Sequence, residues 1–560
     1  MIKMWRLRVS ILQYIGGSKE MLIEACSSNR HEIIEDLVLA GININSVDEN
    51  GNSALILASR NGHSECVKVL CSIPGIDVNV QNKSDDTALI LASDNGHSEC
   101  VKVLCSTPGI DVNSKNKKGN TALILASDNG HSECVKVLCS TPGIDVNTKN
   151  KNDVTALILA SDNGNSECVK LLCSTPGIDV NIKGKNNDSA LILASNRGHY
   201  ECVKILLQMV GIKINAKNIN NDTALICAAN NGHSECVKLL LDAPGIYINA
   251  KNKDGCTALM YATCNGYSEC VKILLEMTRI KIDEKNKYGD TALILASYYD
   301  HEECVKILLN TAGIDVNAKN HHCDTALILA SSYEHDECVK LLLDAPGIDV
   351  NAVNQDRCTA LISASCYGHD ECVKLLLNAP RIDVNAKDED KSTALIFASC
   401  HGYDECVKLL LDAPGIDVNT KNNHNNTALI LASCHGHNEC VKLLLDAPGI
   451  DVNAVNQDRC TALIFASSYG QDRCVKMLLN SKEIDVNSKN NNNETALILA
   501  SSNGHEKCVK MLLKAPGIDI NLTDKNGNTA LALAITNGYG ERAKILYKKQ
   551  KEIRMIEMSI

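Results

Sequence analysis

One short phrase governs the whole chain. Thr-Ala-Leu or Ser-Ala-Leu begins at residue 53 and returns every 34 residues as far as 529, fifteen times in all. A period of this length signals stacked copies of one supersecondary unit, because no single copy buries its own apolar face. A degenerate copy precedes the series: Ala25, Glu32, Leu37 and Asn45 align with Ala58, Glu65, Leu70 and Asn79. Thr87 to Asn113 and Thr121 to Asn147 are identical over 27 positions, and Asn351 to Ile362 recurs three repeats later as Asn453 to Ile464. The array therefore looks duplicated in blocks.

One repeat can be parsed from its residues. Thr121 is a good N-cap, and Ala122 to Ser127 reads as a short first helix. Gly130 suits the left-handed position that ends it, and Gly fills that register in thirteen of fifteen repeats, with Asp300 and Glu334 the exceptions. Ser132 and Glu133 open a second helix, where an acid favours the N-terminus. Cys134, Val135 and Leu138 share one face, with Lys136 pointing away. Pro142 and Gly143 stop this helix, and all ten prolines of the chain keep that register. Ile144 to Asn147 is then expected to run extended into a polar turn.

Composition fits a thin core. Aromatic residues make up 3% of the chain while hydrophobic residues reach 45%, so Ala, Val, Ile, Leu and Cys must do the packing. A net charge of -11 speaks against nucleic acid as a partner, since phosphate binding needs a basic face. No apolar run approaches the roughly eighteen residues that span a bilayer, so no membrane partner is expected. Residues 1–19 carry Lys3, Arg6 and Arg8 before a short apolar stretch broken by Gln13, and read as a leader or cap rather than an export signal.

The residues Gly119-Asn120-Thr121-Ala122-Leu123, Ala126, Gly130-His131, Val135, Leu138 and Gly143-Ile144-Asp145-Val146-Asn147 together resemble the ankyrin repeat. The likeness covers about residues 20 to 547. It implies an all-α repeat solenoid of stacked helix-turn-helix units with projecting β-hairpin or turn loops. The divisions expected are a leader at 1–19, a degenerate first repeat at 20–52, fourteen repeats over 53–528, and a capping repeat with a polar tail over 529–560. There are departures from the family pattern. Ala122 stands for the usual Pro, and Ile124 for the His that braces neighbouring repeats, so aliphatic packing is expected to replace that brace. The turn glycine survives only at 51, 119, 255, 289 and 527, with Asn or Asp at six other tips. Cys323, Arg357, Lys391 and Arg459 do not suit φ > 0, so distorted tips are expected there.

No catalytic constellation emerges. The Gly-His register recurs too regularly for a general base, and no Ser or Cys nucleophile or G-x-x-x-x-G-K-[ST] loop accompanies it. Of 28 cysteines, fourteen share the register of Cys134 and read as buried apolar residues, as do Cys71, Cys105, Cys139 and Cys173 late in the same helix. Register-mates about 10 Å apart are too distant for disulfides, which suits a reducing, cytoplasmic setting. Cys434 and His437 offer two zinc ligands where four are needed, and no C-x-x-C occurs. No cofactor or metal site is therefore expected.

Function must lie in what varies between repeats. The pair ending the first helix changes from Asp94-Asn95, Asp128-Asn129 and Asp162-Asn163 to Tyr298-Tyr299, Ser332-Tyr333, Cys366-Tyr367, Cys400-His401, Cys434-His435 and Ser468-Tyr469. The resemblance places these on the concave side, opposite tips carrying Asp324, Asp356, Glu389 and Asp390. Tyr is enriched at binding hot spots. The reading is a non-enzymatic, monomeric scaffold that binds an unidentified protein partner. Two alternatives stand beside it: a metal- or redox-responsive Cys/His-rich solenoid, and, by family analogy, a host-directed effector of an intracellular microbe secreted by a non-classical route.

Overall fold

The computed structural model describes residues 18–557. The expected leader at 1–19 thus lies almost wholly outside the described residues. The chain divides into two compact units, Met1–Lys281 and Ile282–Ile560. Each is a run of short antiparallel helix pairs, and each pair packs on the next.

The repeat is built as its residues dictate. Thr121 is extended at φ −93°, ψ 168°, and its hydroxyl accepts the Ile124 amide at 3.3 Å, opening the helix Ala122–Asp128. Gly130 at φ +74° ends that turn. A Cβ there would lie 2.7 Å from the Asn165 side chain of the next repeat, so glycine serves both the conformation and the close approach. The second helix, Ser132–Cys139, buries Cys134, Val135 and Leu138 completely against Ala122, Leu123, Ile124 and Ala126. On its outer face Lys136 reaches Glu133 at 3.8 Å, an exposed i,i+3 pair worth little to stability.

The segment after the helices differs from expectation. Ile144 and Asp145 form no strand, and Val146 and Asn147 already turn, because the Asp145 carboxylate captures the Asn147 amide at 3.0 Å. The projecting loops are turns rather than β-hairpins. At every described tip but that of Gly184, one side chain takes the place of a strand ladder: Asn150 Oδ1 accepts the amides of Asn152 at 2.9 Å and Val154 at 3.1 Å. Strand pairing shrinks to isolated bridges such as Lys183 with Ser189.

The expected distortion at four tips is absent. Cys323, Arg357, Lys391 and Arg459 adopt φ between +59° and +61°, and so follow the Asn and Asp tips at φ +56° to +63°. Their amides donate to the same loop acceptors, for example Arg357 N to Asn354 O at 3.1 Å. The surrounding bonds over-determine the turn, so the strain is held rather than relieved.

Nor does aliphatic packing alone replace the missing histidine brace. Ile124 is buried as expected, but hydrogen bonds between repeats persist elsewhere. Asn79 donates Nδ2 to Gly109 O at 2.8 Å and accepts the Asp111 amide at 2.8 Å. The same two bonds recur down the array, as at Asn317 with Gly347 and Asp349. A second series crosses the loop tips, such as Asn150 Nδ2 to Asn120 Oδ1 at 2.8 Å. The Gly-His register forms a third: His97 Nε2 donates to Arg60 O at 2.9 Å and His437 Nε2 to Cys400 O at 3.0 Å. All fourteen register cysteines are buried, as is Cys173, but Cys71, Cys105 and Cys139 at the register of Cys173 are only half-buried.

Candidate functional site

Within the Ile282–Ile560 unit the first helices end in a row of exposed rings. Tyr298, Tyr299, Tyr333, Tyr367 and Tyr469 are 36 to 59% exposed, and His401 and His435 are exposed beside them. The helix ends hold them in place. Tyr298 meets Tyr299 edge to face at 4.8 Å and crosses to Tyr333 of the next repeat at 5.0 Å. Tyr333 and Tyr367 stack on His335 and His369 of their own turns, at 6.1 and 6.0 Å. Tyr469 stacks on Phe465 at 6.3 Å. His401 and His435 are each tied back by Nδ1 to a carbonyl four residues earlier, Phe397 O and Leu431 O. A hydrogen bond to Tyr298 raises the Tyr333 phenol above its ordinary pKa, with partial burial adding to it.

The acidic tips divide into two kinds. Asp356, Glu389 and Asp390 are exposed. Asp324 is half-buried, and its Oδ1 accepts Asn354 Nδ2 at 3.0 Å, so it belongs to the brace between loops as well as to the rim. Sequence reasoning missed Asp388, half-buried between these tips, whose carboxylate accepts the Ser392 amide. Burial raises its pKa. It also missed the cleft these elements enclose. Tyr288 and Asp290 from one loop, Tyr298 and Tyr299 from the adjoining helix, and His322 and Asp324 from the next loop line a space of about 280 Å³. The signal was available: no other repeat carries Tyr at the registers of Tyr288 or Tyr298.

The Met1–Lys281 unit holds the register-equivalent cleft, about 240 Å³, under Asp188 and Asp222. Its floor is polar: Asn196 and Asn230 line it, and they accept Asn231 Nδ2 at 2.9 Å and Asn265 Nδ2 at 3.1 Å. The same kind of bond joins the first-helix ends of earlier repeats in this unit. Asn129 Nδ2 donates to the Asp94 carboxylate at 3.0 Å, Asn163 to that of Asp128 at 2.8 Å, and Arg197 Nε to that of Asp162 at 3.0 Å. Burial, with the Asp222 and Asp162 carboxylates nearby, raises Asp188 above the usual carboxylate range.

Burial works against thiolate formation in the cysteines it encloses. Burial pushes Cys134 to about 12 and Cys440 to about 12, and it raises the half-buried Cys366, Cys400 and Cys434 as well. A thiolate nucleophile needs the opposite shift. Among the described residues, no three His, Cys, Asp or Glu side chains come together in an arrangement that could hold a metal ion. Likewise no helix among them is long and apolar enough to cross a membrane.

No curated protein matches the chain. A family model described as ankyrin repeats in three copies matches residues 22–116, 108–184, 177–252, 244–320, 318–388, 381–456 and 463–556. The repeat length, the paired short helices and the projecting turn loops agree with that match from end to end, and the chain belongs to the ankyrin-repeat family.

Proposed function

We propose that the chain is a non-enzymatic scaffold that docks a partner protein along the aromatic strip of the Ile282–Ile560 unit. Repeats of this family are protein-interaction modules. One observation carries the reading. In the Met1–Lys281 unit the side chains ending the first helices bond to one another, whereas in the second unit the same positions present large exposed rings. Rings held by short helices lose little freedom on binding and offer large apolar area. The exposed carboxylates of Asp356, Glu389 and Asp390 favour a partner segment with Lys or Arg beside its apolar anchors.

Affinity capture with the intact chain tests this. Tyr333→Ala and Tyr367→Ala together should weaken the captured partner by about 2 kcal/mol or more and leave the melting curve in place, since both side chains are more than half exposed. Asp94→Ala with Asp128→Ala should cost little. A partner that tolerates the first pair and is lost with the second sinks the assignment. The same reading puts the chain, as a monomer, in a reducing compartment. Titration of the unreduced, denatured chain should then return all 28 thiols, and native disulfides would count against it.

A further inference from the structure

We propose that the cleft beneath Tyr288, Tyr298 and Tyr299 takes one cationic side chain, arginine or lysine, from an extended segment of the partner protein. This rests on the docking reading above and specifies the chemistry of one anchor. Three features converge. Tyr298 and Tyr299 line the cleft together, edge to face at 87° and 4.8 Å, and Tyr288 adds a third ring from the loop. Ring faces attract cations, and Tyr288 already carries the Lys287 ammonium 4.9 Å from its centroid. Ile294, Leu295 and Leu329 complete the lining as an apolar bed, which suits the methylene stem of a long cationic side chain.

The charge argument chooses among occupants. Asp290 and Asp324 both line the cleft. Asp324 gives one oxygen to the loop brace, to Asn354 Nδ2 at 3.0 Å, and Asp290 gives both, Oδ1 to Asn320 Nδ2 at 3.1 Å and Oδ2 to Asn286 Nδ2 at 3.3 Å; these neutral donors leave both negative charges in place. A leucine anchor would strip water from two carboxylates and return nothing. An acidic anchor would be repelled. A cation answers both the carboxylates and the rings.

The chain supplies its own conservative variants. Asn52 and Asn120 occupy the register of Asp290 and Asp324 and still accept the loop bond, at 3.0 and 2.8 Å. Asp290→Asn with Asp324→Asn therefore removes the charge and keeps the bonds from Asn320 and Asn354, giving up only the 3.3 Å contact from Asn286 Nδ2. The full chain is labelled with 3-fluorotyrosine, and the Tyr288, Tyr298 and Tyr299 resonances are assigned by single Tyr→Phe changes. It is then titrated with acetyl-Ser-Ala-Arg-Ala-Ser-amide, and with the same peptide carrying Lys, citrulline or Leu in place of Arg. The Arg and Lys peptides should shift these three signals with an affinity about tenfold above citrulline and Leu. The double Asn variant should erase that preference at an unchanged melting temperature. Equal shifts from citrulline and Arg, or no shift at these three rings, overturn the inference. A captured partner that needs Tyr333 and Tyr367 but ignores the double Asn variant also overturns it, while leaving the docking surface standing. A partner indifferent to both sets of changes removes the docking surface itself.

Discussion

The cleft under Asp188 and Asp222 and the cleft under Asp290 and Asp324 are one construction met twice, three repeats apart in sequence. Asp, Ile, Leu and Asn recur at matching registers: Asp188, Ile192, Leu193 and Asn218 correspond to Asp290, Ile294, Leu295 and Asn320. What differs is the floor. Asn196 and Arg197 stand where Tyr298 and Tyr299 do, and Arg197 is turned to Asp162. A frame held by loop and helix bonds tolerates either floor, so the floor is free to change what the surface binds. At the ends of its first helices the first unit bonds polar side chains to one another, and the second leaves apolar area exposed.

The contrast can be broken most directly by exchange. Converting Tyr299, Tyr333 and Tyr367 to Asn, the residue at 95, 129 and 163, should weaken partner capture about a hundredfold or more if two of the three are hot spots. Capture that survives all three exchanges would mean the two floors do not differ in function. A smaller effect concerns Asp283, which replaces the brace asparagine at the start of the second unit. Its Oδ2 accepts the Asp315 amide at 3.2 Å, but its buried Oδ1 has no partner. Asp283→Asn restores the donor and should stabilise that unit by about 1–3 kcal/mol at neutral pH, read by denaturant melts. Burial raises this carboxyl, so its folded form favours the proton. Its contribution to stability is thus greatest below the unfolded value near 4 and is lost as pH rises through the raised pKa. The Asn variant should lose that dependence, and an unchanged pH profile would argue against the assignment.

The loop tips come next. The second unit carries Cys323, Arg357, Lys391 and Arg459 at φ near +60°, whereas the first has Gly119 and Gly255 among its tips. Arg357→Gly or Lys391→Gly should each stabilise by about 1 kcal/mol. Hydrogen exchange should show faster opening at those tips than at Gly119, and equal protection throughout would count against stored strain. The smallest effect should be the same in both units. Ser127 and Ser433 are fully buried with no hydroxyl partner, and Ala229 already fills that register. Ser→Ala at either should stabilise by about 0.5 kcal/mol or more. A loss at one site and a gain at the other would show that the two frames are not equivalent.

The frame was legible because its determinants are local. A Thr cap, a left-handed glycine and a Pro-Gly stop act within a few residues, and repetition made each unmistakable. The bonds between repeats were not legible, since Asn79 reaches residues 30 and 32 positions away and only stacking brings them together. The tips were misjudged for a related reason. Side-chain preference at Arg357 disfavours φ > 0, but bonds from the flanking loop residues override it. The aromatic row was visible as a sequence trend. The cleft left only a partial mark, two tyrosines each singular at its register, because Tyr288 and Tyr298 belong to different elements and Asp324 to a third.

The asparagine series has a consequence for how such a chain changes in length. Each Asn of the series from Asn45 to Asn487 binds groups at a fixed offset in the following repeat, so the junctions, that of Asp283 excepted, are chemically the same joint. Excising or adding a whole 34-residue block rejoins matching halves and leaves no orphaned donor. A single inserted residue between Asn113 and Gly143, by contrast, forces both bonds of that joint out of register at once. Length can therefore vary freely in whole repeats and hardly at all in single residues, and the three-repeat recurrence from Asn351 to Asn453 is the kind of record such variation leaves.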